Sequence, residues 1–234
     1  MNSFWKVCRR VVNPSDYFRF VTNQRPELNI PAFEDLSGNV PGASLRQKSS
    51  EIQKAFPARA FLSKVLGVHT DERAWRRGAA GEEEVARQLD KLGPSWRVIH
   101  SVPVGSNETD IDHVVIGPPG VFTLNTKNHL GGRVTVTSKA IYVNGTFQPY
   151  LAKSRAEGKR ATKLLTTSSG YEVIAQPMIV IMADELKIKG LTEGVHVVGR
   201  KRISRWLLNQ RQTLLPEQVD SIYAVARHRS TWVS

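Results

Sequence analysis

The sequence predicts one α/β or α+β domain with a central mixed sheet flanked by helices. Strand-like apolar stretches follow one another closely in "WRVIHSVPV" (96–104), "DIDHVVIG" (110–117) and "VFTLNTKN" (121–128). A helical pattern precedes them, and a long basic helical pattern follows. A buried-strand run, "VIAQPMIVIM" (173–182), then returns the chain to the sheet. Strands interrupted by helices in this order favour a single sheet covered on its faces. A chain of 234 residues suits one large domain or one domain with an appendage.

Residues 1–70 read as an N-terminal extension. "NQRPELNIPAFEDLSGNVPGASLRQKSS" (23–50) is rich in Pro, Gly, Ser and Asn and has little periodicity, so it reads as an extended or poorly ordered linker. A short helix is expected within 51–68, where Ile52, Phe56, Ala60, Phe61, Val65 and Leu66 approximate one face. The main domain is expected over 71–234. Its first helix is expected over 79–93, with Val85, Leu89 and Leu92 at helical spacing and Gly93-Pro94 as the stop. Glu82, Glu83 and Glu84 would then sit in a first turn, where the helix dipole favours anions.

The three strands follow, the second pair turning at Pro118-Pro119. "RVTVTS" and "AIYVNG" suggest a further hairpin. "YLAKSRAEGKRATKLLTTS" (150–168) reads as a basic helix, with Leu151, Ala161, Leu164 and Leu165 on its apolar side. "GVHVVG" (194–199) reads as a short strand, and 203–210 and 216–229 as helices. The five tryptophans read as core or surface anchors.

Charge narrows the class of partner. The chain carries 33 basic and 21 acidic residues, a net charge of +12. From His113 onward the balance is +10, whereas 71–112 is net −3. Such an excess favours a polyanion, nucleic acid or an anionic membrane surface. Cys8 is the only cysteine, which excludes an intramolecular disulfide and a cysteine metal cluster and leans towards the reducing cytoplasm. The start lacks a signal-peptide core, and runs such as "PMIVIM" are too short to span a bilayer.

The candidate site is the hairpin "TDIDHVVIGPPGVFTLNTKNHLGG" (109–132), which plants charge in otherwise buried strands. A turn at Pro118-Pro119 would set Asp112 opposite Asn125 and Asp110 opposite Lys127. Residues two apart share a face, so two carboxylates, an amide and an ammonium would form one patch. That chemistry suits metal-assisted phosphodiester cleavage with Mg²⁺ (or Mn²⁺). Asp112 is the firmest metal ligand, Glu82 supplies a second carboxylate if its helix crosses the sheet, and the Asn125 side chain and the Thr126 carbonyl complete the set. Lys127 would orient water or stabilise the transition state. The ordinary alternative is a cross-strand Asp112–Lys127 salt bridge. His113, expected on the opposite face from Asp112, and His129 read as packed or surface groups.

"GAAGEEEV" (78–85), "DIDHVVIGPPGVFTLNTKNHLGG" (110–132) and "AQPMIVIM" together resemble the NERD, or nuclease-related domain, family. That family is placed among restriction-endonuclease-like proteins with the PD-(D/E)XK motif. The resemblance implies that fold over roughly 71–200 and a bacterial-type cytoplasmic nuclease acting in DNA processing or defence. It matches Glu82 to the helix acid, Asp112 to the metal-binding aspartate and Lys127 to the motif lysine. Asn125 falls where the wider superfamily carries Glu or Asp, which removes a negative charge and weakens metal binding.

Two functions of different class follow. One is a Mg²⁺-dependent nuclease on DNA rather than RNA, with a homodimer as one way to cut two strands. The other is a nucleic-acid-binding module with weak or absent turnover, which Asn125 favours. In either, Lys153, Arg155, Lys159 and Arg160 of the basic helix are candidates for phosphate contact. A third reading is a scaffold whose N-terminal segment recruits a partner or membrane.

Overall fold

A computed structural model describes residues 35–42, 71–104 and 109–233. The helix expected within 51–68 and Cys8 lie outside these residues. Helix α1 runs Asp71–Leu89 and passes into a 3-10 turn at Asp90–Leu92. Strands β1 (Arg97–Val104), β2 (Thr109–Gly117) and β3 (Gly120–Val136) form an antiparallel meander, continued by β4 (Ile141–Val143) and β5 (Thr146–Gln148). Helix α2 (Tyr150–Ser169) leads to β6 (Ala175–Ile188), which pairs with β3 in parallel. Strand β7 (His196–Gly199) pairs with β6, also in parallel. Helices α3 (Ile203–Leu208) and α4 (Pro216–Ala226) close the chain. The result is a mixed seven-stranded sheet with helices packed against it, as the order of patterns predicts.

The alternation of side chains explains why β2 and β3 read as continuous apolar runs. Val114, Ile116 and Val121 face a core shared with Ala161 and Leu165 of α2 and Val219 and Ile222 of α4. Their neighbours Val115, Phe122 and Leu124 face Val85 and Leu89 of α1 and Ile203 and Leu207 of α3. A central strand covered on both faces carries apolar residues at every position. The helices α1 and α2 therefore lie on opposite sides of β3. This places the candidate site between them.

Several boundaries differ from the expectation. Helix α1 starts at Asp71, not near 79, so Glu82, Glu83 and Glu84 lie mid-helix and the helix-dipole reading of them fails. Glu84 instead pairs with Arg87 and Arg200. Strand β3 is one strand of 17 residues, with an irregularity between His129 and Arg133 at the Gly131-Gly132 pair. The expected "RVTVTS" strand is its far end, and Val134 pairs with Val143 of β4 as the second hairpin requires.

The linker reading of 23–50 fails at 35–42. Leu36 is buried in the core of α2 and α4, and its N–H donates to the Arg227 carbonyl at 2.7 Å. Asp35 forms an ion pair with Arg227, whose guanidinium holds the Asp35 carboxyl well below the usual range. Asn39 donates to the Ser101 carbonyl at 3.0 Å. A single apolar residue and one acid, each with a partner nearly two hundred positions away, leave no periodicity to read.

Candidate active site

The turn sets the register. Gly117 pairs with Gly120, and the ladder runs through Val115↔Phe122 to His113↔Leu124. That is the pairing expected from a Pro118-Pro119 turn. Beyond Leu124 the ladder between β2 and β3 stops, and Asp112 takes a different role from a cross-strand neighbour. Its Oδ2 accepts a hydrogen bond from the Thr126 backbone N–H at 2.5 Å. In an extended strand the N–H and C=O of one residue leave on the same side. The Thr126 carbonyl therefore points along the same edge as the Asp112 carboxylate. The β2–β3 ladder ends before Asp110 and Lys127, which therefore do not pair; Asp110 pairs on its other edge with Pro103 of β1.

Alternation along β3 then divides the site between the two helices. Thr126 and Asn128 face α1. A Cβ on Gly81 would come within 3.2 Å of both, so a glycine there lets α1 cross close to the strand. Asn128 also donates to the Arg77 carbonyl at 2.7 Å. The close crossing brings in Glu82, which is 4% exposed. Its Oε2 accepts a hydrogen bond from the Gly42 N–H at 2.9 Å. Gly42 has φ +71°, and a Cβ there would meet Ala79 of α1 at 2.9 Å. Only glycine suits that backbone and that space.

Asn125 and Lys127 face α2. Asn125 is 7% exposed, its Oδ1 accepts from Lys127 Nζ at 3.2 Å, and its Nδ2 donates to Glu157 Oε2. Lys127 Nζ lies 5.5 Å from the centre of the Tyr150 ring. The Tyr150 hydroxyl meets His129 Nε2 at 3.1 Å, and the two rings stack. The Asp112–Lys127 salt bridge does not form; Lys127 bonds to the amide instead.

The electrostatics follow from burial. Desolvation, then the charge of Asp112, pushes the Glu82 carboxyl up to about 8, against the Gly42 hydrogen bond and the attraction of Lys127. Asp112 is raised by desolvation too, opposed by Lys127 and the Thr126 N–H. Glu157 is pushed up to about 7, again chiefly by desolvation. Lys127 is thus the ammonium common to three buried or half-buried carboxylates, with Lys153 a second cation near Glu157, and desolvation outweighs both. Hard oxygen donors in that state suit Mg²⁺ or Mn²⁺. Among the described residues no group of three or more His, Cys, Asp or Glu side chains is placed to hold a metal ion. Mg²⁺ does not need one, because it takes one or two carboxylates and keeps waters or substrate phosphates for the rest.

The family model for NERD, the nuclease-related domain, matches residues 77–182. That stretch of the chain is similar to a nuclease-related domain. Glu82, Asp112, Asn125, Lys127 and Glu157 all lie within the matched span, and the mixed sheet with its flanking helices is restriction-endonuclease-like. Over 91 residues the chain is 38% identical to an uncharacterized protein of Bacillus anthracis, which covers 37% of this chain and 42% of that protein. The chain thus spans less than half of that relative. No solved structure matches with significance.

The remaining candidates fall outside the centre. Lys153 and Lys159 are exposed on α2. Arg155 Nε donates to the Glu193 carbonyl at 3.0 Å, and Arg160 Nη1 reaches the Val104 carbonyl at 3.4 Å. His113 is fully buried against His100 and faces away from Asp112, as alternation requires. Glu157 was missed. The sequence signal for it was faint but present: it is the only acid in the basic helix, next to a glycine.

Proposed function

We infer that this chain is a metal-dependent nuclease that hydrolyses phosphodiester bonds in DNA. The observation that carries the reading is the convergence of Glu82, Asp112 and Lys127, from α1, β2 and β3, on the strand stretch that the nuclease-related domain match spans. Glu82 and Asp112 would hold Mg²⁺ or Mn²⁺, with the Thr126 carbonyl and the Asn125 amide oxygen as neutral donors. The ion would supply charge stabilisation at the scissile phosphate and an acidified water. Lys127 positions the attacking water or neutralises charge on the phosphate. The hydrogen bond to Asn125 and the Tyr150 ring beside it hold its ammonium in place. The Thr126 N–H fixes one oxygen of the Asp112 carboxylate, and the other would be left to bind the cation. The positive face of α2 at Lys153 and Lys159, with Arg155 and Arg160 beside it, offers phosphate-backbone contacts.

Asn125 favours a second reading, a nucleic-acid-binding module with the same fold and little turnover. The test is a panel of labelled single-stranded DNA, double-stranded DNA and RNA incubated with Mg²⁺, Mn²⁺ or EDTA. DNA cleavage that EDTA stops supports the nuclease. Retention of DNA in a gel-shift assay, with no cleavage in either metal, supports the binding module.

A further inference from the structure

The geometry points to Glu157 of helix α2 as the carboxylate that replaces the one missing at Asn125. This rests on the nuclease reading above and names a further residue of that site. Strand β3 presents a neutral amide two residues before Lys127, where a metal-dependent centre of this kind gains from a negative charge. The Asn125 amide does not simply fill the gap. It donates to Glu157 and accepts from Lys127, so it links an acid on the helix to the ammonium on the strand. Glu157 is thereby held over the residue whose charge it would supply, and it lies within the field of both Lys127 and Asp112.

The helix is built to allow this approach. A Cβ on Gly158 would meet the ring carbons of Pro177 in β6 at 3.0–3.1 Å, so α2 sits as close to the sheet as a missing side chain permits. One turn before Glu157 on the same buried face, Ser154 is 2% exposed, and its hydroxyl has no hydrogen-bond partner. A buried, unsatisfied hydroxyl costs free energy unless a water or ligand meets it. The carboxylate thus moves from strand to helix while the charge of the centre stays the same.

The test measures Mn²⁺ binding to the full chain by titration calorimetry, independently of cleavage, with circular dichroism confirming each variant's fold. Glu157→Gln keeps the size of the side chain and an oxygen for Asn125, and is expected to weaken Mn²⁺ by about 10- to 100-fold. Asn125→Glu combined with Glu157→Gln returns a carboxylate to the strand and is expected to recover most of that loss. If Asp112→Asn abolishes binding while Glu157→Gln binds as wild type, the nuclease centre stands and the role of Glu157 is overturned. If wild type binds no Mn²⁺, both fall.

Discussion

Asp112 and Glu82 owe their state to what surrounds them rather than to their own chemistry. Glu82 faces Asp112, Asp110, Lys127 and the Gly42 N–H, and Glu157 faces Lys127, Asp112 and Lys153. Desolvation dominates for both, so in the metal-free protein they hold protons up to about pH 8 and about pH 7. The unfolded chain releases those protons near the ordinary value of 4.5. Between these limits the two acids bind more protons in the folded state, so their contribution to stability falls as pH rises, while His100, His113, His129 and His196, all lowered by burial, contribute the opposite sign below the ordinary histidine value of 6.5. The difference between wild type and Glu82→Gln isolates the acid: in urea unfolding in EDTA from about pH 5 to about pH 8, wild type is expected to lose stability relative to Glu82→Gln as pH rises. A difference that stays constant across the window would contradict the burial of this acid. At this scale the sequence offers Asp112, Lys127 and Glu82 as candidates from the hairpin and the helix pattern, and the fold places the three near one another. Glu157 could not be placed, because its role depends on which turn of α2 meets Asn125, and periodicity does not give that contact.

Elements bring the residues together through close crossings. Gly81 lets α1 cross β3, and Gly158 lets α2 lie on β6 beside Pro177. Gly158→Ala sets two effects against each other. Helix propensity favours alanine by about 1 kcal/mol. Overpacking a tight contact costs about 1–3 kcal/mol. The proline ring sits in a paired strand and cannot swing aside, so the packing cost should win, with a net loss on the order of 1 kcal/mol. Urea denaturation in EDTA checks this, and a more stable variant would show that α2 has room. Strands β2 and β3 and their register were legible because the diproline turn fixes the pairing and both faces are apolar. The start of α1 was not, since 71–78 is polar and charged and shows no apolar face. The far half of β3 reads as a separate strand because Gly131-Gly132 looks like a break, whereas the pairing with β6 is interrupted there only by a register shift and resumes at Arg133.

Over the whole molecule, the fold reaches beyond the span of the family match. Leu36 and Trp232 enter the same core as α4, and the Trp232 indole donates to the Ala226 carbonyl at 2.7 Å. Gly42 ties the segment 35–42 to Glu82, so the N-terminal stretch read as linker holds part of the candidate site. Such long-range contacts leave no local pattern, which is why the linker reading failed while the sheet reading held. No helix among the described residues is long and apolar enough to cross a membrane. Glu82 of α1, Asp112 of β2, Lys127 of β3 and Glu157 of α2 lie around one place in the fold, the crossing of α1, β3 and α2. The account rests on that place being a metal-dependent hydrolytic centre. The direct measurement is the rate at which the full chain cuts labelled double-stranded DNA with Mg²⁺, for wild type beside Asp112→Asn and Lys127→Met, each confirmed folded. The account predicts cleavage that EDTA stops and that each substitution lowers by about 10²- to 10³-fold. Cleavage at the wild-type rate in both variants would contradict it.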